Sequence, residues 1–117
     1  MTFRALGLAA GLLLAAQGAS AAEFFVGRWA IDPVGCQVYG DTSETAPLVA
    51  TDTTIRWFVA SCTIGKMYKT AATAVHIQAR CKNEGTNSTI PITLRMKGDR
   101  LGVIWDNGAV KEMRRCK

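Results

Sequence analysis

From residue 75 to residue 116, apolar and polar side chains alternate, interrupted only by short clusters of turn-forming residues. Val75, Ile77, Ala79 and Cys81 alternate with His76, Gln78, Arg80 and Lys82, and Ile90, Ile92, Leu94 and Met96 alternate with Pro91, Thr93, Arg95 and Lys97. A period of two is the pattern of a strand with one buried and one wet face. Leu101, Val103 and Trp105 form a third such run, and Val110 to Cys116 a fourth. The breaks are residues 83–87 with Gly85, then Gly98-Asp99, then Asp106-Asn107-Gly108. Asn-Gly tolerates the positive φ values of a tight primed turn. A parallel neighbour needs a crossover of about a dozen residues or more, which these breaks lack, so the sheet reads as an antiparallel meander. Pro91 cannot donate to a ladder and is expected at an edge or a bulge.

The first half is less regular. Phe24 to Asp32 reads as a strand turned by Pro33-Val34-Gly35, residues 40–47 as a polar loop, and Leu48 to Thr51 as a short strand. Thr53 to Tyr68 allows two readings. Ile55, Trp57 and Val59 fit one strand face and Phe58, Cys62 and Ile64 the other, which a bulge near Ser61 reconciles. The competing reading is a short helix capped by Asp52 or Thr53.

Four cysteines allow three pairings. Cys62 and Cys81 are symmetric about Ala71-Ala72. A hairpin turning there sets them opposite each other, within the Cα separation of about 4.4–6.8 Å that a disulfide accepts. Cys36 follows the first strand and Cys116 ends the last, so joining them closes the sheet on itself. The expected fold is therefore all-β: a small antiparallel meander closing into a barrel or sandwich, with two disulfides. Zinc is the alternative use of the thiols. The wide spacings, the absence of C-x-x-C and the single His76 argue against it, so no metal and no cofactor are expected.

The amino terminus carries the three parts of a secretory leader: Arg4, an apolar run from Leu6 to Ala16, and Ala19-Ser20-Ala21. The run is shorter than the roughly 20 residues that span a bilayer. No cysteine stands at the cleavage site to take a lipid. Residues 1–22 read as the signal peptide and 23–117 as one disulfide-stapled β domain, 95 of the 117 residues. Periplasmic or secreted localisation follows, with no transmembrane segment after processing.

Charge is uneven. Residues 23–65 hold two basic and five acidic side chains, whereas residues 66–117 hold eleven basic and four acidic ones. Such asymmetry suits an anionic partner. Arg80, Lys82, Arg95 and Lys97 are expected on the outer face of two paired strands, with Lys111 or Arg115 extending the patch. The acidic loop offers Asp41 and Glu44 as a second contact. Catalysis is hard to assemble: His76 stands alone on a polar strand face, no serine lies in G-x-S-x-G, and no Gly-rich phosphate loop occurs. No catalytic residue is assigned. Specific nucleic-acid recognition would want exposed aromatics, for which only Tyr39, Trp57 and Tyr68 are candidates.

Gly27-Arg28-Trp29 on the first strand resembles the G-x-W that opens lipocalin-like barrels, whose Trp plugs the barrel end. It also looks like the first strand of small secreted bacterial inhibitors of metallopeptidases. The order G-x-W, Cys36, Cys62, Cys81, Glu84-Gly85 and Arg115-Cys116 is similar to that of small exported bacterial proteins of unknown function. Taken with the missing catalytic constellation and the basic second half, the reading is a non-enzymatic binding or inhibitor-like protein of the cell envelope, with an envelope protein or an anionic polymer as partner. The alternatives are a binder of anionic envelope polymers or lipids through the basic sheet face, or a small-ligand carrier of lipocalin type.

Amino-terminal sequencing of the exported protein should begin at Ala22 or Glu23, and detergent should not be needed to extract it. Recovery of Met1 on exported material would contradict the leader reading.

Overall fold

In the computed structural model, which describes residues 23–37 and 45–117, the alternating second half becomes four consecutive strands. They are β5 (Ala74–Asn83), β6 (Thr86–Lys97), β7 (Arg100–Trp105) and β8 (Val110–Arg115). The first half supplies β1 (Gly27–Ala30), a 3-10 helix (Pro33–Gln37), β2 (Leu48–Ala50), β3 (Thr54–Trp57) and β4 (Ala60–Ala71). Each strand pairs antiparallel with the next, and β8 pairs antiparallel with β1, so the sheet is a closed barrel. The expectation of barrel or sandwich resolves to barrel.

Eight strands enclose a space that side chains can just fill. Here Leu48, Ile55, Ile77, Ile92, Leu94, Leu101, Val103 and Met113 fill it and are fully buried. The alternation predicted the members of this set on β5, β6 and β7; of the other apolar residues it placed inward, Met96 and Trp105 are only half-buried. Pro91 is not on an edge, because a closed barrel has none. It sits one residue past the end of the β6–β7 ladder, where its carbonyl accepts from Asp106 N–H at 2.9 Å, so its missing donor costs no ladder bond.

The ambiguous stretch is neither one continuous strand nor a helix. It is a hairpin, β3–β4, turning at Phe58-Val59, with Trp57 opposite Ala60 and Ile55 opposite Cys62. Phe58 adopts φ 58°, a conformation usually given to glycine, and its ring packs 4.5 Å from that of Trp57. The irregularity expected at Ser61 lies further along β4, between Ile64 and Lys66, with a second between Lys69 and Ala71. Gly65 is the extra residue of the first, and a Cβ there would lie 2.9 Å from the Gln78 carbonyl. These two shifts move the β4–β5 turn from Ala71-Ala72 to Ala72-Thr73 while leaving Cys62 opposite Cys81. The β7–β8 turn is also displaced by one residue. Positive φ falls on Asp106 (53°) and Asn107 (61°), and Gly108 closes the turn by donating to the Trp105 carbonyl at 3.0 Å.

Both predicted disulfides form, Cys62–Cys81 and Cys36–Cys116. Their Cα separations are 3.9 Å and 5.5 Å; the first is tighter than the range expected, because the cysteines are directly opposed on adjacent strands. In the chain-entropy model the shorter loop contributes roughly 3 kcal/mol and the longer roughly 4.5.

At the β8–β1 seam, Trp29 is fully buried and its indole N–H donates to the Phe25 carbonyl at 2.8 Å. The Arg115 guanidinium lies 4.3 Å from the Trp29 ring and donates to the carbonyls of Val26 (2.7 Å) and Phe24 (3.1 Å). Gly27 makes this possible: its φ is +145°, and a Cβ would collide with the Arg115 guanidinium. Arg115 therefore belongs to the barrel seam and not to the basic face. Lys111, opposite buried Val103, also lies on the inward parity of β8 and not on that face.

Replacing Arg115 by Ala should cost about 2–3 kcal/mol, from two charge-assisted hydrogen bonds and a cation–π contact. Arg115→Lys should recover less than half, since an ammonium lacks the fork that spans both carbonyls. Denaturant unfolding of the oxidised protein measures both. Replacing Cys62 and Cys81 together by Ala should cost about 2–4 kcal/mol by the same measurement.

Candidate anion-binding face

Because directly paired residues of antiparallel strands point to the same side, the register lays out the outer surface in rows that cross the strands. One row is Arg56 on β3, Ser61 on β4, Lys82 on β5 and Asn87 on β6. The next is Thr54, Thr63, Arg80 and Thr89 on the same four strands. A third places Lys66 opposite Gln78, and Gln78 opposite Pro91. Arg56, Ser61, Thr63, Lys66, Arg80, Lys82, Asn87 and Thr89 are all exposed. Shallow depressions between these side chains run from Ser61 and Lys82 to Lys66 and Gln78.

The electrostatics of this surface are one-sided. Lys69–Glu23 (3.1 Å) and Arg100–Glu112 (3.8 Å) are ion-paired, whereas Arg56, Lys66, Arg80 and Lys82 face solvent without a carboxylate partner among the described residues. The nearest acids along the chain, Asp52 and Glu84, are in the turns that border the patch. Four unpaired cations amid hydroxyls and amides offer charge and hydrogen bonds to an anion together.

Of the four basic residues predicted for a common face, all lie on the outside, but they form two separate pairs. Arg80 stands opposite Thr89, and Arg95 is six residues further along β6, roughly 20 Å away at the strand rise. Parity placed them on one side; position along the ribbon divides them. Arg95 and Lys97 belong to another surface, a trough over Gly102 lined also by Thr93, Ile104, Val110 and Glu112. There the carboxylate of Glu112 offsets part of the positive charge.

Between the two ends, β5 and β6 present His76, Gln78, Pro91 and Thr93 on the outer side. His76 Nδ1 is 3.1 Å from Thr93 Oγ1, and the Gln78 amide nitrogen lies 3.3 Å from His76 Nε2. His76 is thus engaged with its neighbours on the sheet. The sequence missed Arg56 and Lys66 as members of the site. Arg56 lies in the stretch whose secondary structure was ambiguous, and Lys66 acquires its side from the Gly65 bulge. The β3–β4 register was the signal that could have found Arg56.

Of the aromatic candidates, Trp57 is buried with its indole N–H on the Ala46 carbonyl at 3.1 Å, and it packs 5.5 Å from the Trp105 ring. Tyr68 is 53% exposed and stands opposite His76 across the β4–β5 ladder, one same-side position beyond Lys66 on β4. Tyr39 and the loop candidates Asp41 and Glu44 lie outside the described residues. Among the described residues no group of three or more His, Cys, Asp or Glu is placed to hold a metal ion. No helix among them is long and apolar enough to cross a membrane. No family model, curated protein or solved structure matches the chain.

Proposed function

We propose that the protein is an exported, non-catalytic binding protein of the cell envelope that grips an anionic polymer on the outer face of β3–β6. The observation that carries this reading is the cluster of Arg56, Lys66, Arg80 and Lys82 on one exposed surface with no carboxylate partner among the described residues. Two features add to it. The disulfides suit an oxidising compartment, in line with the leader-like amino terminus. The interior positions of β5–β7 are occupied by apolar side chains, which favours the outer surface over the lumen as the place of work.

Binding through such a surface uses charge that water and salt can screen. The Debye length is about 8 Å at physiological ionic strength, so affinity must fall steeply as salt is added. Outward strand charges contribute only about 0–1 kcal/mol each to stability. Removing them therefore separates binding from folding.

Titration of the oxidised protein with an anionic polymer should show Kd rising about tenfold or more between roughly 50 and 200 mM salt. Arg80→Gln with Lys82→Gln should weaken binding about tenfold, while Arg95→Gln with Lys97→Gln should change it less than about twofold. Both pairs should unfold at the same denaturant concentration as the parent within error. Binding indifferent to salt and to the Arg80/Lys82 pair would refute the basic-face reading.

A further inference from the structure

The side chains between the cations are as regular as the cations themselves. Along the row Arg56, Ser61, Lys82, Asn87, a cation alternates with a neutral hydrogen-bonding group at every strand. Neighbouring strands are about 4.8 Å apart, so Arg56 and Lys82 stand about 10 Å apart with the Ser61 hydroxyl between them. In the adjoining row Arg80 is flanked by the hydroxyls of Thr63 and Thr89. We infer that this surface recognises an acidic glycan in which charged sugars are separated by neutral ones, lying across the strands. The inference rests on the anionic-polymer reading and names its ligand class.

Three anionic surfaces compete for such a patch, and the chemistry of the row ranks them. A strand of duplex nucleic acid carries one phosphate per roughly 3.4 Å of axis, whereas Arg80 and Lys82 stand about 6.6 Å apart and Arg56 and Lys82 about 10 Å apart, so many phosphates are left unmatched. Base stacking is worth about 1–3 kcal/mol per base and needs aromatic platforms, yet both rows consist of cations, hydroxyls and one amide. Binding to a lipid surface through an amphipathic face sets apolar side chains beside the cations. The exposed large hydrophobics here, Ile31, Val34, Tyr68 and Val110, are all outside these two rows. A glycan supplies what the row can use: sparse carboxylates for Arg56, Lys82 and Arg80, and sugar hydroxyls for Ser61, Thr63 and Asn87.

The test titrates the oxidised protein with four probes near physiological salt: a hyaluronate oligomer, which alternates uronic acid with neutral amino sugar; oligothymidylate of equal charge; anionic phospholipid vesicles; and neutral dextran. The hyaluronate oligomer should bind at least about tenfold more tightly than oligothymidylate, a gap of about 1.4 kcal/mol. Arg56→Gln should weaken it about three- to tenfold. Ser61→Ala with Asn87→Ala should weaken hyaluronate by about as much, the size of one or two lost hydrogen bonds, and leave oligothymidylate binding unchanged. Oligothymidylate or vesicles binding as tightly as hyaluronate, through Arg80 and Lys82, would overturn the glycan inference and leave the anionic-polymer reading standing. Absence of binding to any of the three anionic probes, or dextran binding as well as hyaluronate, would overturn both.

Discussion

The β1–β8 seam is the constraint on which the rest of the structure depends. β1 has only four residues, and two of them pair with β8. A ladder that short cannot by itself hold a twisted sheet shut. Arg115 adds two hydrogen bonds to the backbone before β1 and covers the Trp29 ring, while Trp29 fills the interior and donates back to Phe25. One residue further on, Cys116 N–H donates to the Arg28 carbonyl at 2.8 Å and its sulfur is bonded to Cys36. Ring stacking, hydrogen bonds and a covalent link act on one seam. Opening it would expose Trp29, Leu48 and Met113 together, so the seam and the core stand or fall as a unit.

The fold was legible where alternation was long and the turns carried their own chemistry. β5 and β6 each alternate over eight residues, 75–82 and 90–97, and Glu84-Gly85 and Gly98 adopt positive φ where a turn residue was expected. Register about a two-residue centre was enough to pair Cys62 with Cys81, even though the turn itself sits one residue later. Two irregularities in β4 displace the turn near the hairpin tip without disturbing the pairing near Cys62. What was least legible is the β3–β4 hairpin, a turn made by residues that do not advertise one. Phe58 takes a positive φ with an aromatic side chain, held by its contact with Trp57. No glycine, proline or asparagine marks that hairpin, so β3 and β4 read as one strand.

The same cause governs how much of the candidate site could be read. Parity along β5 put Arg80 and Lys82 on the outer face. Parity along β6 did the same for Arg95 and Lys97, but parity carries no information about distance along a ribbon. The register separates the two pairs, and it brings Arg56 to within two strands of Lys82. Arg56 comes from the half of the sequence whose net charge is negative, so the charge asymmetry that pointed to residues 66–117 also pointed away from it. Arg115, by contrast, was legible as basic and misplaced in role: a guanidinium beside a buried indole is structural whatever the net charge around it.

Among the described residues the inward positions of β5–β7 carry apolar side chains, and a strand surface has little depth. What it does have is a lattice, about 4.8 Å across strands and about 6.6 Å between same-side residues along a strand. Recognition on such a lattice favours ligands that are themselves periodic and extended, because each added row repeats the match of the last. The rigidity of the lattice matters as much as its spacing. Cys62–Cys81 joins β4 and β5 within the ladder that carries Ser61, Thr63, Arg80 and Lys82. The bond faces inward while those four side chains face outward, so it fixes their rows without occupying their surface. Backbone held this way has less freedom to lose on binding than a loop has. The same disulfide that adds stability to the thin core thereby preorganises the basic face.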